Sequence, residues 1–215
     1  MEIKGKRFVF LGDGITEGVG VSAPEAAFVE RFRSKYQPAS AINYGVSGSR
    51  IARQRNPDPG NPPHERYFAS RVPEMDPDAE VVIVFGGVND YAHGDAPLGS
   101  PEDRTPDTFT GACHTLFGAL LRHYPCAVIL LLTPLQTTAE PRNKTGTPPP
   151  LSDYVRILRE TAAVYAIPVL DLYASSGIHA ASPLQRERFL PDGIHPNDAG
   201  AERIADRLAA FLGQL

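Results

Sequence analysis

The segment at residues 192–197, Asp-Gly-Ile-His-Pro-Asn, places a carboxylate three residues before a histidine. With this spacing the side chain of Asp192 can fold back onto the imidazole of His195, where it would fix the tautomer of the ring and stabilise the imidazolium. The proline that follows stiffens the loop and biases His195 toward an extended backbone. Such a pair supports general acid–base chemistry. A loop aspartate and a surface histidine that do not interact would produce the same sequence pattern.

A second candidate site is the glycine-rich stretch at residues 12–18, Gly-Asp-Gly-Ile-Thr-Glu-Gly, which follows the apolar run at residues 8–11. A strand that turns sharply into a helix here would present residue 14 at the rim of a sheet. Its backbone N–H would then lie near a helix N-terminus, where an oxyanion is stabilised. An ordinary strand-to-helix turn is an equally good interpretation.

Nucleotide binding is a weaker interpretation of the same stretch. The dinucleotide-binding fingerprint is Gly-x-Gly-x-x-Gly, whereas Gly18 comes one position too late to complete it. Asp13 and Glu17 would also place negative charge beside a pyrophosphate. The sequence has no Gly-Lys-Ser or Gly-Lys-Thr ending of a phosphate-binding P-loop.

Two further polar loops follow predicted strands: Asn-Tyr-Gly-Val-Ser-Gly-Ser at residues 43–49 and Gly-Gly-Val-Asn-Asp at residues 86–90. Taken alone, the first is a glycine-rich loop and the second is an Asx-type turn. Ser47 and Ser49 are the hydroxyls that one would nominate as nucleophiles. The order of these loops along the chain, with the other two motifs, is more informative than either loop alone.

The four motifs, in this order and spanning residues 12–197, resemble those of the SGNH (GDSL-type) hydrolases. The resemblance implies a serine ester hydrolase with a Ser-His-Asp triad, in which Asp192 and His195 are catalytic. It places the nucleophilic serine at position 14, where this chain has glycine. It also implies that the backbone N–H groups of Gly14 and Gly45 and the side chain of Asn89 form the oxyanion hole.

The same resemblance implies that Ser47 and Ser49 lie on the binding loop rather than in line with the histidine, so neither is expected to replace the missing nucleophile. Because every other group is present, we expect an inactivated variant, such as an engineered knock-out, with at most weak activity through a water activated by His195. A site that keeps its oxyanion hole and binding groups retains roughly 10³–10⁴-fold catalysis over water. The alternatives are a natural pseudoenzyme that binds acylated ligands, and a natural enzyme that uses water or another group.

The apolar periodicity predicts strands that alternate with amphipathic helices, and hence a single α/β domain over residues 1–215. Continuously apolar strands are typical of a mainly parallel sheet with helices on both faces. The resemblance implies the corresponding architecture, a three-layer α/β/α, flavodoxin-like SGNH hydrolase fold with a five-stranded sheet. The predicted strands are Arg7–Leu11, Ala41–Tyr44, Glu80–Phe85, Ala127–Leu132 and Ile167–Leu172. The predicted helices are Pro24–Tyr36, His64–Val72, Asp107–His123, Leu151–Tyr165 and Asp198–Leu212.

Charge and composition exclude several classes of protein. A net charge of −4 over 215 residues is unlike the clustered basic face of a nucleic-acid binder. No apolar run approaches the ~20 residues needed to cross a bilayer, and the first residues lack a signal-peptide pattern, which predicts a cytoplasmic protein without a membrane partner. No cofactor or metal is expected, since no His, Cys or carboxylate cluster has ligand spacing. Cys113 and Cys126 are predicted to be buried thiols, and the sequence does not indicate an oligomeric state.

The expected partner is a small-molecule ester. The segments at residues 91–104 and 136–150 should flank the site, since both follow strands at the catalytic edge of the sheet. They lack the dense apolar character that a long acyl chain needs, and their prominent residues are Asp95, Glu102, Arg142, Asn143 and Lys144. We therefore expect a small acyl group, such as acetyl, on a polar or carbohydrate alcohol. A lysophospholipase- or thioesterase-type substrate range is the alternative that the family resemblance implies.

Overall fold

The computed structural model describes residues 1–141 and 148–215. Its centre is a five-stranded sheet in which all neighbouring strands are parallel, in the order β2-β1-β3-β4-β5. This confirms the predicted five-stranded α/β architecture and makes the sheet parallel throughout. The strands are β1 (Arg7–Gly12), β2 (Ser40–Gly45), β3 (Val81–Phe85), β4 (Val128–Leu132) and β5 (Val169–Leu170).

Helices cover both faces of the sheet. On one face α2 packs against α9, and on the other α5 packs against α6. The helices of the described residues are α1 (Gly14–Glu17), α2 (Phe28–Tyr36), α3 (Phe68–Arg71), α4 (Val88–Ala92), α5 (Phe109–His123), α6 (Leu151–Val164), α7 (Leu172–Ser175), α8 (Pro183–Phe189) and α9 (Asp198–Leu212). Short 3₁₀ turns cover Pro24–Ala26, Pro62–Glu65 and Val72–Glu74.

Two predicted helices are interrupted. The segment predicted as one helix over Pro24–Tyr36 begins as a 3₁₀ turn, and Ala27 is then extended (ψ 146°) before α2 starts. In the segment predicted as a helix over His64–Val72, Tyr67 is extended (ψ 154°), so α3 begins only at Phe68. The apolar spacing was helical in both places, but one extended residue breaks the backbone hydrogen bonds of a helix.

The last predicted strand, Ile167–Leu172, is shorter than expected. The Asp171 carboxylate accepts a hydrogen bond from the Ala174 N–H at 3.2 Å and caps α7, so the chain turns into a helix directly after Leu170. Aspartate is a favoured N-cap because its side chain satisfies a backbone donor that the first helical turn leaves open. The apolar residue Leu172 therefore belongs to α7.

The side chains of β1 enter both layers of the core. Val9 and Leu11 pack on the side of α5 and α6, whereas Phe8 and Phe10 pack on the side of α2. The ring centroid of Phe8 lies 5.1 Å from that of Phe32, at a separation typical of edge-to-face aromatic pairs. Burial on both faces holds β1 at the centre of the sheet, so its carboxyl end is a fixed point for the loop that follows.

The carboxyl ends of β1, β2 and β3 lie at the same level of the sheet. Gly12, the last residue of β1, pairs with Gly45 of β2 and with Phe85 of β3. The three loops that follow these strands carry the motifs singled out above, and ligands of parallel sheets bind at this edge. The topology therefore brings these motifs into one region, although the paired strand ends Gly12 and Phe85 are 73 residues apart in sequence.

The two cysteines differ in their exposure. Cys113 is buried as predicted, but Cys126 is exposed, because β4 begins only at Val128 and Cys126 lies in the turn before it. Residues 142–147, which include the predicted flanking residues Arg142, Asn143 and Lys144, lie outside the described residues. In the described part of the chain, no helix has the length and apolar character needed to cross a membrane.

Candidate active site

A cavity of about 330 Å³ opens at the carboxyl edge of the sheet. Four separate segments line it: the turn after β1, the loop after β2, the start of α4 and the loop before α9. From these segments come Gly14, Ser47, Gly48, Asn89 and His195. The structure thus brings together three of the predicted site residues, Gly14, Asn89 and His195.

The predicted Asp192–His195 pair is formed. Asp192 Oδ2 lies 2.6 Å from His195 Nδ1, and its Oδ1 accepts the backbone N–H groups of Ile194 at 2.9 Å and His195 at 2.7 Å. Partial burial would raise the pKa of Asp192, but the hydrogen bonds from the imidazole and from these two N–H groups outweigh it and hold the pKa below its usual range. With Nδ1 bound to the carboxylate, Nε2 is the ring nitrogen left to exchange a proton in the cavity.

Gly193 makes this tight loop possible. Its φ is +83°, in the left-handed region that glycine adopts without strain. A Cβ at this position would lie only 2.0 Å from Thr138 Oγ1. Its carbonyl accepts hydrogen bonds from Thr137 Oγ1 at 2.7 Å and from the Thr138 N–H at 3.1 Å. The loop that carries the histidine is thereby tied to the segment that follows β4.

Gly14 begins α1, directly after the strand. The Asp13 side chain caps this helix by accepting the Ile15 N–H at 3.0 Å. Gly14 is not among the residues with positive φ, so its backbone accepts an ordinary side chain. A Cβ added there would lie 3.1 Å from Ser47 Oγ and 3.3 Å from Val19 Cγ2. A small side chain fits this position if Ser47 gives way by a few tenths of an ångström.

The structure does not bring Gly45 into the site, and the expectation that its N–H faces an oxyanion is corrected. That N–H donates to Asn43 Oδ1 at 2.8 Å, and Asn43 Nδ2 donates to the Thr16 carbonyl at 2.7 Å. A Cβ on Gly45 would lie 2.1 Å from the backbone nitrogen of Glu17. Glycine is needed here because β2 passes directly against the backbone of α1.

Gly48 takes the place in the cavity that was expected of Gly45. It lines the cavity with φ +74°, and no acceptor for its N–H is found in the described part of the chain. Sequence reasoning missed it, although the Ser-Gly-Ser turn in which it lies was visible. The presence of a second glycine in the same loop could have indicated it as an alternative to Gly45.

Asn89 lies in the first turn of α4 and joins two of the loops. Its Nδ2 donates to the Ser49 carbonyl at 3.2 Å. The next residue, Asp90, is only 3% exposed, and its carboxylate accepts the N–H groups of Ile51 and Ala52, each at 2.9 Å. The loop after β2 is therefore held against the loop after β3 by two consecutive side chains of α4.

A buried arginine, Arg71, holds together the strand ends beneath the cavity, a role that was not predicted from the sequence. Its guanidinium donates to the carbonyls of Gly12 at 3.0 Å and Tyr44 at 2.7 Å, and to Ser49 Oγ at 3.1 Å. Burial, with the positive charge of Arg66, lowers the pKa of Arg71 to about 10. Arg71 links the ends of β1 and β2, and it engages Ser49, one of the two serines considered as nucleophiles.

Burial raises the pKa of Asp13 to about 7, and the negative charge of Asp90 raises it further, whereas the hydrogen bond from the Ile15 N–H and the electrostatic interactions with His195 and Arg71 lower it. The native state thus binds a proton more tightly than the unfolded state, so Asp13 contributes stability at low pH that is lost as the pH rises from about 4 to about 7.

The Asp13→Asn variant keeps an oxygen to cap α1 but cannot ionise. We expect the difference in free energy of unfolding between this variant and the unmodified chain to shift in favour of the variant by on the order of 2 kcal/mol from pH 5 to pH 8. Urea unfolding of both proteins at these two pH values measures the difference. Equal pH dependence in the two proteins would show that Asp13 does not titrate in this range.

The chain is similar to known proteins in both sequence and fold. Residues 10–203 match the model of the GDSL-like Lipase/Acylhydrolase family. A GDSL lipase of Mycobacterium tuberculosis is 28% identical over 142 residues, which cover 64% of this chain and 52% of that protein, so the chain spans about half the length of this relative. A crystal structure of a Lactobacillus plantarum protein is 29% identical, with a TM-score of 0.85 over 99% of this chain and 98% of that one. An acetyl xylan esterase is 19% identical, with a TM-score of 0.63 over 95% of this chain and 98% of that one, which shows likeness of fold alone.

Proposed function

Since the chain belongs to the GDSL-like lipase and acylhydrolase family, we propose that its cavity is the site of a carboxylic ester hydrolase whose nucleophile position is occupied by Gly14. The observation that carries this proposal is the hydrogen-bonded Asp192–His195 pair, at 2.6 Å, whose histidine lines the same cavity as Gly14. A base held by a carboxylate beside the first turn of a helix is the arrangement that acyl transfer requires.

With a serine at position 14, each group has a defined task. His195 Nε2 takes the proton of the hydroxyl as the oxygen attacks the ester carbonyl, and Asp192 stabilises the imidazolium. The histidine then protonates the leaving alcohol, and water releases the acyl group in the reverse sequence. Gly14 has no side chain to attack with, so this route is closed in the present chain, although the other groups are retained. We therefore assign it no more than weak activity.

The oxyanion hole in this proposal differs from the expected one by one residue. It consists of the backbone N–H groups of Gly14 and Gly48 and the second N–H of the Asn89 amide, whose first N–H donates to the Ser49 carbonyl. Gly48 replaces Gly45 because Gly45 donates to Asn43 instead. A single donor of this kind is worth roughly 2.7–4 kcal/mol in the transition state.

We base the proposed substrate class on the size and polarity of the cavity. Its volume of about 330 Å³ is at the small end for ligand pockets. Polar groups contribute much of its lining, among them Asp13, Asn89, His93 and Arg50, whose guanidinium pairs with Glu65 at 3.2 Å. These features support a short acyl group, such as acetyl, on a polar or carbohydrate alcohol, the type of ester named for the acetyl xylan esterase of similar fold.

Acyl-chain preference tests the substrate class. In the Gly14→Ser variant we expect kcat/KM for p-nitrophenyl acetate to exceed that for p-nitrophenyl octanoate by about 10-fold or more, since extra methylenes find few apolar partners here. Initial rates below the solubility limit of the longer ester measure the ratio. A clear preference for octanoate would instead favour a lysophospholipase- or thioesterase-type substrate range.

A binding module for acylated ligands is the second candidate, and Gly14 itself favours it. A cavity that keeps its oxyanion donors but lacks a nucleophile would hold an ester without cleaving it. If the Gly14→Ser variant folds but hydrolyses no ester, while the unmodified chain still binds a short-chain ester by calorimetry, this candidate replaces the first.

A further inference from the structure

The cavity contains a second serine that the family pattern does not use. We infer that the unmodified chain cleaves esters weakly, with Ser47 as the nucleophile and His195 as its base. The inference rests on the proposed function and names the group that performs it when position 14 is glycine. The sequence pattern argued against Ser47, but the tertiary structure places this residue beside Gly14.

Ser47 lies next to the side-chain position of residue 14. Ser47 Oγ lies 3.1 Å from the point that a Cβ on Gly14 would occupy, and Ser47 Cα lies 3.5 Å from the same point. The hydroxyl of Ser47 is therefore next to the space that a serine at position 14 would fill. Ser47, Gly14 and His195 line the same cavity.

The hydroxyls of the two serines in this loop have different surroundings. Ser49 is 1% exposed, and its Oγ donates to the Val46 carbonyl at 2.7 Å and accepts from Arg71 at 3.1 Å. Ser47 is half-buried and lines the cavity, and its Oγ has no hydrogen-bond partner among the described residues. Its backbone is nevertheless held, because its N–H donates to Glu17 Oε2 at 2.6 Å. Ser47 thus combines a fixed backbone with a free hydroxyl.

The reaction balances without any further reactant except water. Ser47 Oγ bonds to the ester carbonyl carbon while its proton passes to His195 Nε2, and the developing oxyanion is held by donors of the same cavity. The bond to the alcohol oxygen then breaks, and that oxygen leaves with the proton from His195. Water then attacks the acyl carbonyl carbon while His195 takes one of its protons. The bond between that carbon and Ser47 Oγ breaks and releases the carboxylic acid, and His195 gives its proton to Ser47 Oγ. Ser47 does not lie at the helix N-terminus, so its rate should remain well below that of a serine at position 14.

A fluorophosphonate, which forms a covalent Oγ–P bond with a reactive serine and releases fluoride, tests the inference directly. We expect peptide mass spectrometry to locate the adduct on Ser47 in the unmodified chain and on residue 14 in the Gly14→Ser variant. Ser47→Ala should abolish the adduct and lower turnover of p-nitrophenyl acetate by about 10-fold or more. Ser34→Ala, which removes an exposed hydroxyl on α2, is the matched control and should change neither. Circular dichroism checks that each variant is folded.

The Gly14→Ala variant independently tests whether Ser47 Oγ lies close to position 14. Its methyl group would lie 3.1 Å from Ser47 Oγ, and should lower both labelling and turnover by crowding the hydroxyl. The inference is overturned if Ser47 carries no adduct while residue 14 is labelled in Gly14→Ser, or if Ser47→Ala turns over the ester as fast as the unmodified chain. Either result leaves ester hydrolysis by this site in place. The proposed function itself fails if the Gly14→Ser variant is folded yet neither labelled nor active.

Discussion

Gly14→Ser is expected to raise the turnover of p-nitrophenyl acetate by about 10³-fold or more, since losing the nucleophile of an intact triad costs up to ~10⁶-fold in kcat. The backbone at position 14 accepts a side chain, and the nearest atoms to its Cβ, at 3.1 and 3.3 Å, belong to Ser47 and Val19. The pair of Asp192 and His195 is already assembled at 2.6 Å. Only the hydroxyl has to be added. Steady-state rates of the two proteins at equal concentration measure the gain.

Two variants control this experiment. Gly14→Ala adds the same Cβ without a hydroxyl, so it separates the chemistry of the nucleophile from the effect of filling the space, and it should show no gain. Adding His195→Ala to Gly14→Ser should remove most of the gain, because the new hydroxyl then has no base. If Gly14→Ser and Gly14→Ala have the same rate, position 14 is not the nucleophile position and the mechanism proposed here is wrong.

Asp90→Ala is expected to lower the free energy of unfolding by about 3–5 kcal/mol, because it leaves two buried backbone donors without an acceptor. The Asp90 carboxylate is 3% exposed and accepts the N–H groups of Ile51 and Ala52 at 2.9 Å. The loss should also loosen the loop after β2, which carries Ser47 and Gly48. Urea unfolding followed by circular dichroism gives the change in stability.

Asp95→Ala is the matched control for this prediction. The Asp95 carboxylate likewise accepts two consecutive backbone N–H groups of the same loop, those of Arg55 and Asn56 at 2.8 Å, but these hydrogen bonds, and a third from Asn56 Nδ2 at 2.9 Å, are exposed to solvent. Water can replace the lost acceptor there, so we expect a cost of about 1 kcal/mol or less. Equal costs for the two substitutions would mean that burial is not what makes Asp90 important.

The sequence by itself determined the parts of this protein that depend on local spacing. The Asp192–His195 pair is formed because its two side chains are only three residues apart on a tight loop, so few backbone conformations separate them. The central strands β1, β3 and β4 were predictable because their apolar runs are nearly continuous, as burial on both faces requires, whereas β2 and β5 lie at the edges of the sheet and are only partly buried. Helix α9 also has the predicted bounds, since Asn197 accepts the Gly200 N–H and caps it.

Only the tertiary structure decided how the loop after β2 presents its groups. Gly45 and Gly48 are three residues apart in one motif, yet the N–H of Gly45 donates to Asn43, while Gly48 lines the cavity. Ser47 faces Gly14, whereas Ser49 is engaged by Arg71. The direction of an N–H or hydroxyl in such a loop depends on its φ and ψ angles and on contacts from β1, α1, α3 and α4, which are distant in sequence. Residue types and their spacing identify the motif, but these long-range contacts determine which of its atoms reach the cavity.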